Sequence, residues 1–331
     1  MASLPFDTAF MKLLAEHRQS PFTEVFQLAS FMGEVEGYVL IVVAVYVAFD
    51  KSLAVRLGTI ALLAMTLNHV LKIAIKNPRP FMADGTYLDH WAVGAERAAE
   101  LATEYSTPSG HAMAAAAFYG YLFAHVKHRG VRIGAVCAII VIGSSRPYIG
   151  VHYLEDILIG WPIGLGIAVA AVRYADEIAA WWSRVPLRGQ AATCVAATVV
   201  LWAGTVALNG GHIDGQPRAF LGYAGLLTGI LLAQPLELRR VNFDPASSGW
   251  LAKVLRYALT ISLVLATLGA LKAAFAAAAP EFSLAGYVLQ YTRYTIAGVA
   301  GIYVAPWLFT KIRITSVRKC RSANPWQSRA L

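Results

Sequence analysis

Apolar residues in this chain gather into nine long runs, without the strict alternation of a half-buried strand or the single stripe of a surface helix. The runs cover approximately residues 33–49, 53–75, 109–126, 131–149, 154–173, 190–208, 219–235, 251–275 and 284–310. Most approach the ~20 residues that cross a hydrocarbon core, and in lipid the backbone groups of such a run are satisfied only within a helix or a closed barrel. The pattern predicts an all-α polytopic membrane bundle of about nine transmembrane helices. Glu34 and Glu36 pull the start of the first run toward an interface. Ahead of it, Phe10, Leu13, Leu14, Phe22, Val25 and Phe26 recur near helical spacing around Pro21. That segment, 1–32, reads equally as an amphipathic helix on the membrane surface and as a helix packed on the bundle. Its first twenty residues hold no uninterrupted apolar stretch, so they do not predict a cleavable leader.

Composition agrees with lipid as the solvent: 57% of residues are hydrophobic, 14% are charged, and the mean hydropathy is +0.54. The net charge of +9 raises the question of nucleic acid, but its placement answers against it. The cations fall in short segments between apolar runs: Lys51 and Arg56; Lys127, Arg129 and Arg132; Arg173, Arg184 and Arg188; Arg239, Arg240, Lys253 and Arg256; and Lys311 onward. By the positive-inside rule these clusters are cytoplasmic. Segments 76–108, 150–153, 209–218 and 276–283 then face the other side with the N-terminus, and the basic tail 317–331 is cytoplasmic. Three cysteines make no disulfide or metal framework, since Cys137 and Cys194 lie inside apolar runs and Cys320 in the tail.

Ionisable residues at the ends of membrane helices call for a reason, and here they form three groups on the predicted extracytoplasmic side. The first is Lys72, Lys76, Asn77 and Arg79-Pro80. Lys72 and Arg79 are seven apart, two helical turns, so both cations can address one spot; the alternative is that Lys72 and Lys76 snorkel to headgroups. The second is Thr107-Pro108-Ser109-Gly110-His111 at the start of the third run. A serine there caps a helix, free first-turn amides suit an anion, and Gly110 permits close backbone approach; a plain cap beside an exposed histidine is the alternative. The third is Ser145-Arg146, then His152 and Asp156. His152 and Asp156 are i and i+4, so the carboxylate can orient one imidazole nitrogen and leave the other for the site, or the pair simply caps the fifth helix. Together, three cations, helix-start amides and two histidines suit a phosphoryl group, whose transition state gains from positioning and charge.

These residues resemble the motifs of the type 2 phosphatidate phosphatase superfamily, which also includes glucose-6-phosphatases, sphingosine-phosphate phosphatases and vanadium haloperoxidases. Lys72 with Arg79-Pro80, Pro108-Ser109-Gly110-His111, and Ser145-Arg146 with His152 and Asp156 match all three motifs at every fixed position and spacing. The resemblance covers approximately residues 50–175. It implies a six-helix-like phosphatase core within 33–175, with further transmembrane helices over 176–316. It implies that His152 attacks phosphorus and forms a phosphohistidine, Asp156 orients it, and His111 protonates the leaving oxygen and then activates water. Lys72, Arg79, Ser109, the Gly110 amide and Arg146 would bind the phosphoryl oxygens, with no metal and no cofactor. Pro147 and Glu155 depart from the commonest third motif; Glu155 is expected to face away from the anion site, because adjacent helix positions diverge by about 100°.

The expected activity is a metal-independent phosphatase of a bacterial inner membrane, hydrolysing a phosphatidate, sphingoid or isoprenoid phosphate or pyrophosphate at the extracytoplasmic face. A soluble ester such as glucose 6-phosphate, or phosphoryl transfer to another acceptor, would use the same residues; an anion transporter would have no use for a nucleophile, acid and orienter at this spacing. The expected partners are a phosphorylated lipid or another phosphomonoester and the surrounding membrane lipids, with no nucleic acid. The segment Phe81–Thr107, with Glu104 among its acidic residues and Tyr87, Trp91 and Tyr105 among its aromatics, is expected to roof the site. Arg293 either snorkels outward or adds a further cation, and His69 reads as an interhelical donor.

Overall fold

The computed structural model describes residues 4–84, 101, 104–213 and 217–316. Much of the expected roof, including Tyr87 and Trp91, and the tail with Cys320 lie outside the described residues, all of whose regular elements are helical. In chain order these are α1 (Ala9–Glu16), α2 (Ser20–Met32), α3 (Val35–Ala48), α4 (Lys51–Ile75), α5 (Pro80–Asp84), α6 (Gly110–His125), α7 (Arg129–Ile149), α8 (Leu154–Arg184), α9 (Leu187–Leu208), α10 (Pro217–Arg240), α11 (Trp250–Ala276) and α12 (Leu284–Val299). A π-turn, Ala300–Val304, joins α12 to α13 (Ala305–Lys311).

Each of the nine apolar runs is helical, yet among the described residues six helices are by themselves long and apolar enough to cross a membrane. They become seven if α2 and α3, bent by 68° at their junction, count as one span. Three expected spans account for the difference: α3 belongs to that bent pair, α6 has only 16 residues, and the last run is interrupted by the π-turn. Conversely α8 runs on to Arg184, beyond the expected end at 173, with Asp176 there pairing with Arg56 of α4 at 2.5 Å.

Small residues decide which helices meet. On α8, Gly160 and Gly164 face α6: a Cβ at Gly164 would lie 2.2 Å from the Met113 carbonyl oxygen and 2.7 Å from the Ala116 Cβ. On α10, Gly225 and Gly229 likewise admit the α12 backbone, where a Cβ would stand 2.4 Å from the Tyr291 and 2.3 Å from the Thr295 carbonyl oxygen. Both are small-xxx-small seams, the arrangement that brings membrane helices into backbone contact where burial of apolar surface gives no preference between protein and lipid. The α6–α8 seam also sets the relative position of two predicted site residues, since His111 lies at the start of one helix and Asp156 at the start of the other. Gly164→Leu is expected to cost about 2 kcal/mol or more by overpacking, whereas Gly166→Leu, whose Cβ would meet nothing within 4 Å, serves as the tolerated control; thermal unfolding in detergent measures both.

The N-terminal helices pack on the bundle. Phe26 stacks against Tyr148 with ring centroids 4.3 Å apart, and Arg18 Nε donates to the Tyr148 carbonyl at 2.8 Å. The opposite end of the bundle is tied by a buried network in which Lys51, at the start of α4, bonds Glu237 of α10.

Candidate active site

Three chain reversals gather the sequence-predicted residues at one end of the bundle. Helix α4 ends with Lys72 in its last turn and Lys76 in a left-handed C-cap. Ser109 caps the N-terminus of α6, its hydroxyl accepting from the Ala112 amide at 3.4 Å. Helix α7 ends at Gly150 with φ +92°, a left-handed cap that glycine adopts without a Cβ clash; the reversal returns Val151, His152 and Tyr153 toward α4. Asp156 then sits at the third position of α8, where its Oδ2 accepts from the Tyr153 amide at 3.0 Å as in half of a capping box. Backbone bonds lock the segments together: the Ser109 amide donates to the Asp156 carbonyl at 3.1 Å, and the Ser106 amide to the Asn77 carbonyl at 2.8 Å.

His152 lies at the centre and is buried. Its Nδ1 is 3.1 Å from Asp156 Oδ2, and its Nε2 is 3.2 Å from Arg79 Nη1. Since the guanidinium only donates, Nε2 accepts and the ring proton sits on Nδ1, facing the carboxylate. Burial, reinforced by Arg79, Arg146 and Lys72, holds the imidazole neutral, its pKa well below the ordinary histidine value. Asp156 is saturated with donors: besides His152 and the Tyr153 amide, it accepts from Ser106 and from Thr107 Oγ1, the latter at 2.5 Å. The Arg79 guanidinium is fixed by the Val151 carbonyl at 3.0 Å and the Glu104 carbonyl at 3.2 Å.

The cations are spread around this histidine. Lys72 Nζ and Arg79 Nη2 converge on one oxygen, Glu104 Oε2, at 3.0 and 3.1 Å. Arg146 is buried and donates to Ser30 of α2. His111 lies within electrostatic reach of Arg146, His152, Lys72 and Arg79, and its Nε2 is buried with no hydrogen-bond partner among the described residues. Its ring rests on Gly33, where a Cβ would stand 2.7 Å from His111 Cδ2 and 2.6 Å from Ile142 Cγ2. Gly33→Ala is therefore expected to displace the ring and lower kcat about tenfold, because a misplacement near 1 Å costs up to about 10²-fold; unchanged turnover would show that the ring has room. At Gly110 the group that approaches the backbone closely is Asn68, whose Oδ1 would be 2.8 Å from an added Cβ and whose amide donates to the Pro108 carbonyl at 2.9 Å.

All eight predicted site residues are thus placed at this end, and five are joined by hydrogen bonds and ion pairs: Arg79 with His152 and Asp156, Lys72 with Arg79 through Glu104, and Ser109 with Asp156 through its backbone; Arg146 instead bonds Ser30, His111 rests on Gly33 and Gly110 meets Asn68. Glu155 turns away from them, its Oε1 accepting from the Asp7 amide at 3.4 Å. Arg293, 9% exposed, lies in α12 beside the Tyr294 ring, 4.9 Å from its centroid, and His69 stacks on Phe220 of α10. Sequence reasoning did not single out Ser106, Ser30 or Asn68 for the site, and took Glu104 only as part of a roof. Ser106 adjoins the second motif and could have been found by proximity; Ser30 and Asn68 carry no spacing signal.

Comparison with known families defines the class of membrane protein. Residues 53–179 match the PAP2 superfamily and residues 221–318 match the PAP2 superfamily phosphatase, transmembrane extension; together they cover more than half of the chain. The chain belongs to the PAP2 superfamily, and its C-terminal helices are that extension. It is 36% identical to phosphatidylglycerophosphatase B of Bacillus subtilis (strain 168) over 108 residues, 30% of this chain and 46% of that protein. It is 28% identical to sphingosine-1-phosphate phosphatase 2 of Mus musculus over 164 residues, 47% of this chain and 42% of that protein. The chain therefore spans less than half the length of either relative. A crystal structure of a transmembrane PAP2 type phosphatidylglycerolphosphate phosphatase from Bacillus subtilis, 25% identical, covers 52% of this chain and 85% of its own, with a TM-score of 0.41.

Proposed function

We propose that the protein is an integral-membrane phosphatase that hydrolyses the phosphomonoester or terminal pyrophosphate group of a lipid through a phosphohistidine. The observation that carries the reading is the His152 ring. Its Nδ1 is held by Asp156, and its Nε2 meets a guanidinium arm that can equally hold a phosphoryl oxygen. The Nε2 lone pair attacks phosphorus and the P–O bond to the alcohol breaks, with His111 giving its proton to the leaving oxygen. Water then attacks the phosphohistidine, His111 takes its proton, and the P–N bond breaks to release inorganic phosphate. Lys72, Arg79 and Arg146 offset charge on the non-bridging oxygens, as a divalent ion would elsewhere, with the Ser109–Gly110 helix start as a further anion site. The dianionic substrate supplies the negative charge that lets His111 carry its proton among these cations.

The positive-inside distribution supports a site on the extracytoplasmic face, with the Lys51 end cytoplasmic. Lipid is favoured as the substrate because both relatives are named for lipid phosphates and the site lies at the end of apolar helices. The test is phosphate release by purified protein in detergent from phosphatidate, sphingosine phosphate, an isoprenyl pyrophosphate and glucose 6-phosphate, with and without chelator. Preference for a lipid with chelator present is expected; preference for glucose 6-phosphate, or loss with chelator and return with magnesium, overturns the reading.

A further inference from the structure

Glu104 places a carboxylate on two of the cations that the proposed reading assigns to the phosphoryl group. Its Oε2 is shared by Lys72 Nζ at 3.0 Å and Arg79 Nη2 at 3.1 Å, while the other arm of the same guanidinium touches His152 Nε2 at 3.2 Å. An anion oxygen thus already sits on the two cations beside the nucleophile. The cations, Lys72 foremost, hold this carboxyl well below the usual carboxylate range, so it is ionised at any working pH. The Glu104 backbone is pinned separately, its carbonyl accepting from Arg79 Nε at 3.2 Å. The carboxylate side chain is 44% exposed, whereas Arg79 is 1% exposed. The carboxylate can therefore rotate off the cations into solvent while the backbone and the guanidinium stay in place.

From this contact we infer that Glu104 is a specificity-determining residue: a built-in competitor that admits dianionic phosphoryl groups and turns away monoanionic ones. The inference rests on the reading of the cluster as a phosphoryl site. A ligand that displaces Glu104 exchanges one anion for another on the same cations. A phosphodiester, with a single negative charge, gains little by that exchange; a phosphomonoester or terminal pyrophosphate brings a second charge and gains from every cation in reach. The distinction matters in this setting, because ordinary bilayer phospholipids are phosphodiesters and surround the site at far higher concentration than any substrate. Without a resident carboxylate, a cluster of Lys72, Arg79 and Arg146 would bind their headgroups unproductively. Substituting glutamine keeps the shape and removes the charge, which separates competition from packing.

The experiment uses the full-length protein in detergent with short-chain phosphatidate as substrate, with and without excess phosphatidylglycerol. For the wild type, phosphatidylglycerol is expected to leave KM nearly unchanged. For Glu104→Gln, KM is expected to fall about tenfold without phosphatidylglycerol, the change that ~1.4 kcal/mol produces, and to rise steeply when it is added, with inhibition competitive. Glu104→Asp, which keeps the charge on a shorter arm, should resist phosphatidylglycerol better than Glu104→Gln. A glutamine variant with unchanged KM and no new inhibition overturns the inference, as does one whose KM rises and kcat falls, which would make Glu104 a positioning residue. Should the glutamine variant fail to fold, competitive inhibition of the wild type by phosphatidylglycerol still overturns it. A wild type that releases no phosphate from any monoester removes the phosphatase reading, and this inference with it.

Discussion

His152→Ala is expected to reduce phosphate release by at least about 10³-fold while leaving the protein folded. The loss follows from chemistry: among the described residues, no other side chain presents an acceptor nitrogen beside Arg79 with its second nitrogen held by a carboxylate. The survival of the fold follows from the donors left to Asp156. Ser106, Thr107 and the Tyr153 amide still satisfy its oxygens, so the substitution does not strand a buried charge. Asp156→Asn tests the same arrangement from the other side, since an amide can hold the wrong tautomer; about 10²-fold or more should be lost. The pH profile adds a further check. Attack requires neutral His152, and burial with Arg79, Arg146 and Lys72 lowers its pKa, so the neutral form persists to lower pH than for a free histidine. The acid limb of kcat/KM should accordingly lie below about 6.5. A His152→Ala enzyme retaining a tenth of its turnover, or an acid limb above that value in the wild type, would contradict the assignment.

That the predicted site residues lie together was legible because their type and spacing are written in the sequence. His152 and Asp156 are four apart on a helix start, Lys72 and Arg79 lie seven apart, and such intervals survive in the sequence as written. What supports the cluster was illegible for a matching reason. Ser30 reaches Arg146 across 116 positions of sequence, and Gly33 makes room for His111 only because α2 folds onto α7. No local pattern encodes either contact, and the amphipathic spacing of α1 and α2 was equally consistent with a membrane surface. Glu104 was visible only as one acid among several, since a carboxylate near an anion site looks unfavourable until it is seen paired. The fold class was readable from apolar run length, whereas the number of spans was not. Hydropathy does not register the 68° bend between α2 and α3 or the π-turn after α12.

The largest loss of stability is expected from Glu237→Ala, at the other end of the bundle. Lys51 Nζ bonds both Glu237 oxygens at 2.9 Å, and Oε1 also accepts from the Phe243 amide at 3.0 Å. Lys51 is 7% and Glu237 1% exposed. Removing the carboxylate leaves an ammonium without its counter-ion in a site closed by Phe243, whose ring centroid lies 4.8 Å from Nζ. Breaking such a pair costs roughly 3–5 kcal/mol, while replacing both partners by apolar groups is often neutral. Glu237→Ala should therefore lower the unfolding temperature sharply, and Lys51→Met with Glu237→Leu should recover most of it. The pair joins α4, which carries Lys72, to α10 in the matched transmembrane extension. Lys51 and Lys72 are nonetheless about 30 Å apart at the helical rise, so turnover per folded molecule should stay near wild type. Equal unfolding temperatures for the single and double variants would mean that water or a neighbouring acceptor already satisfies Lys51. A fall in turnover without a fall in stability would mean that this end of α4 is coupled to His152.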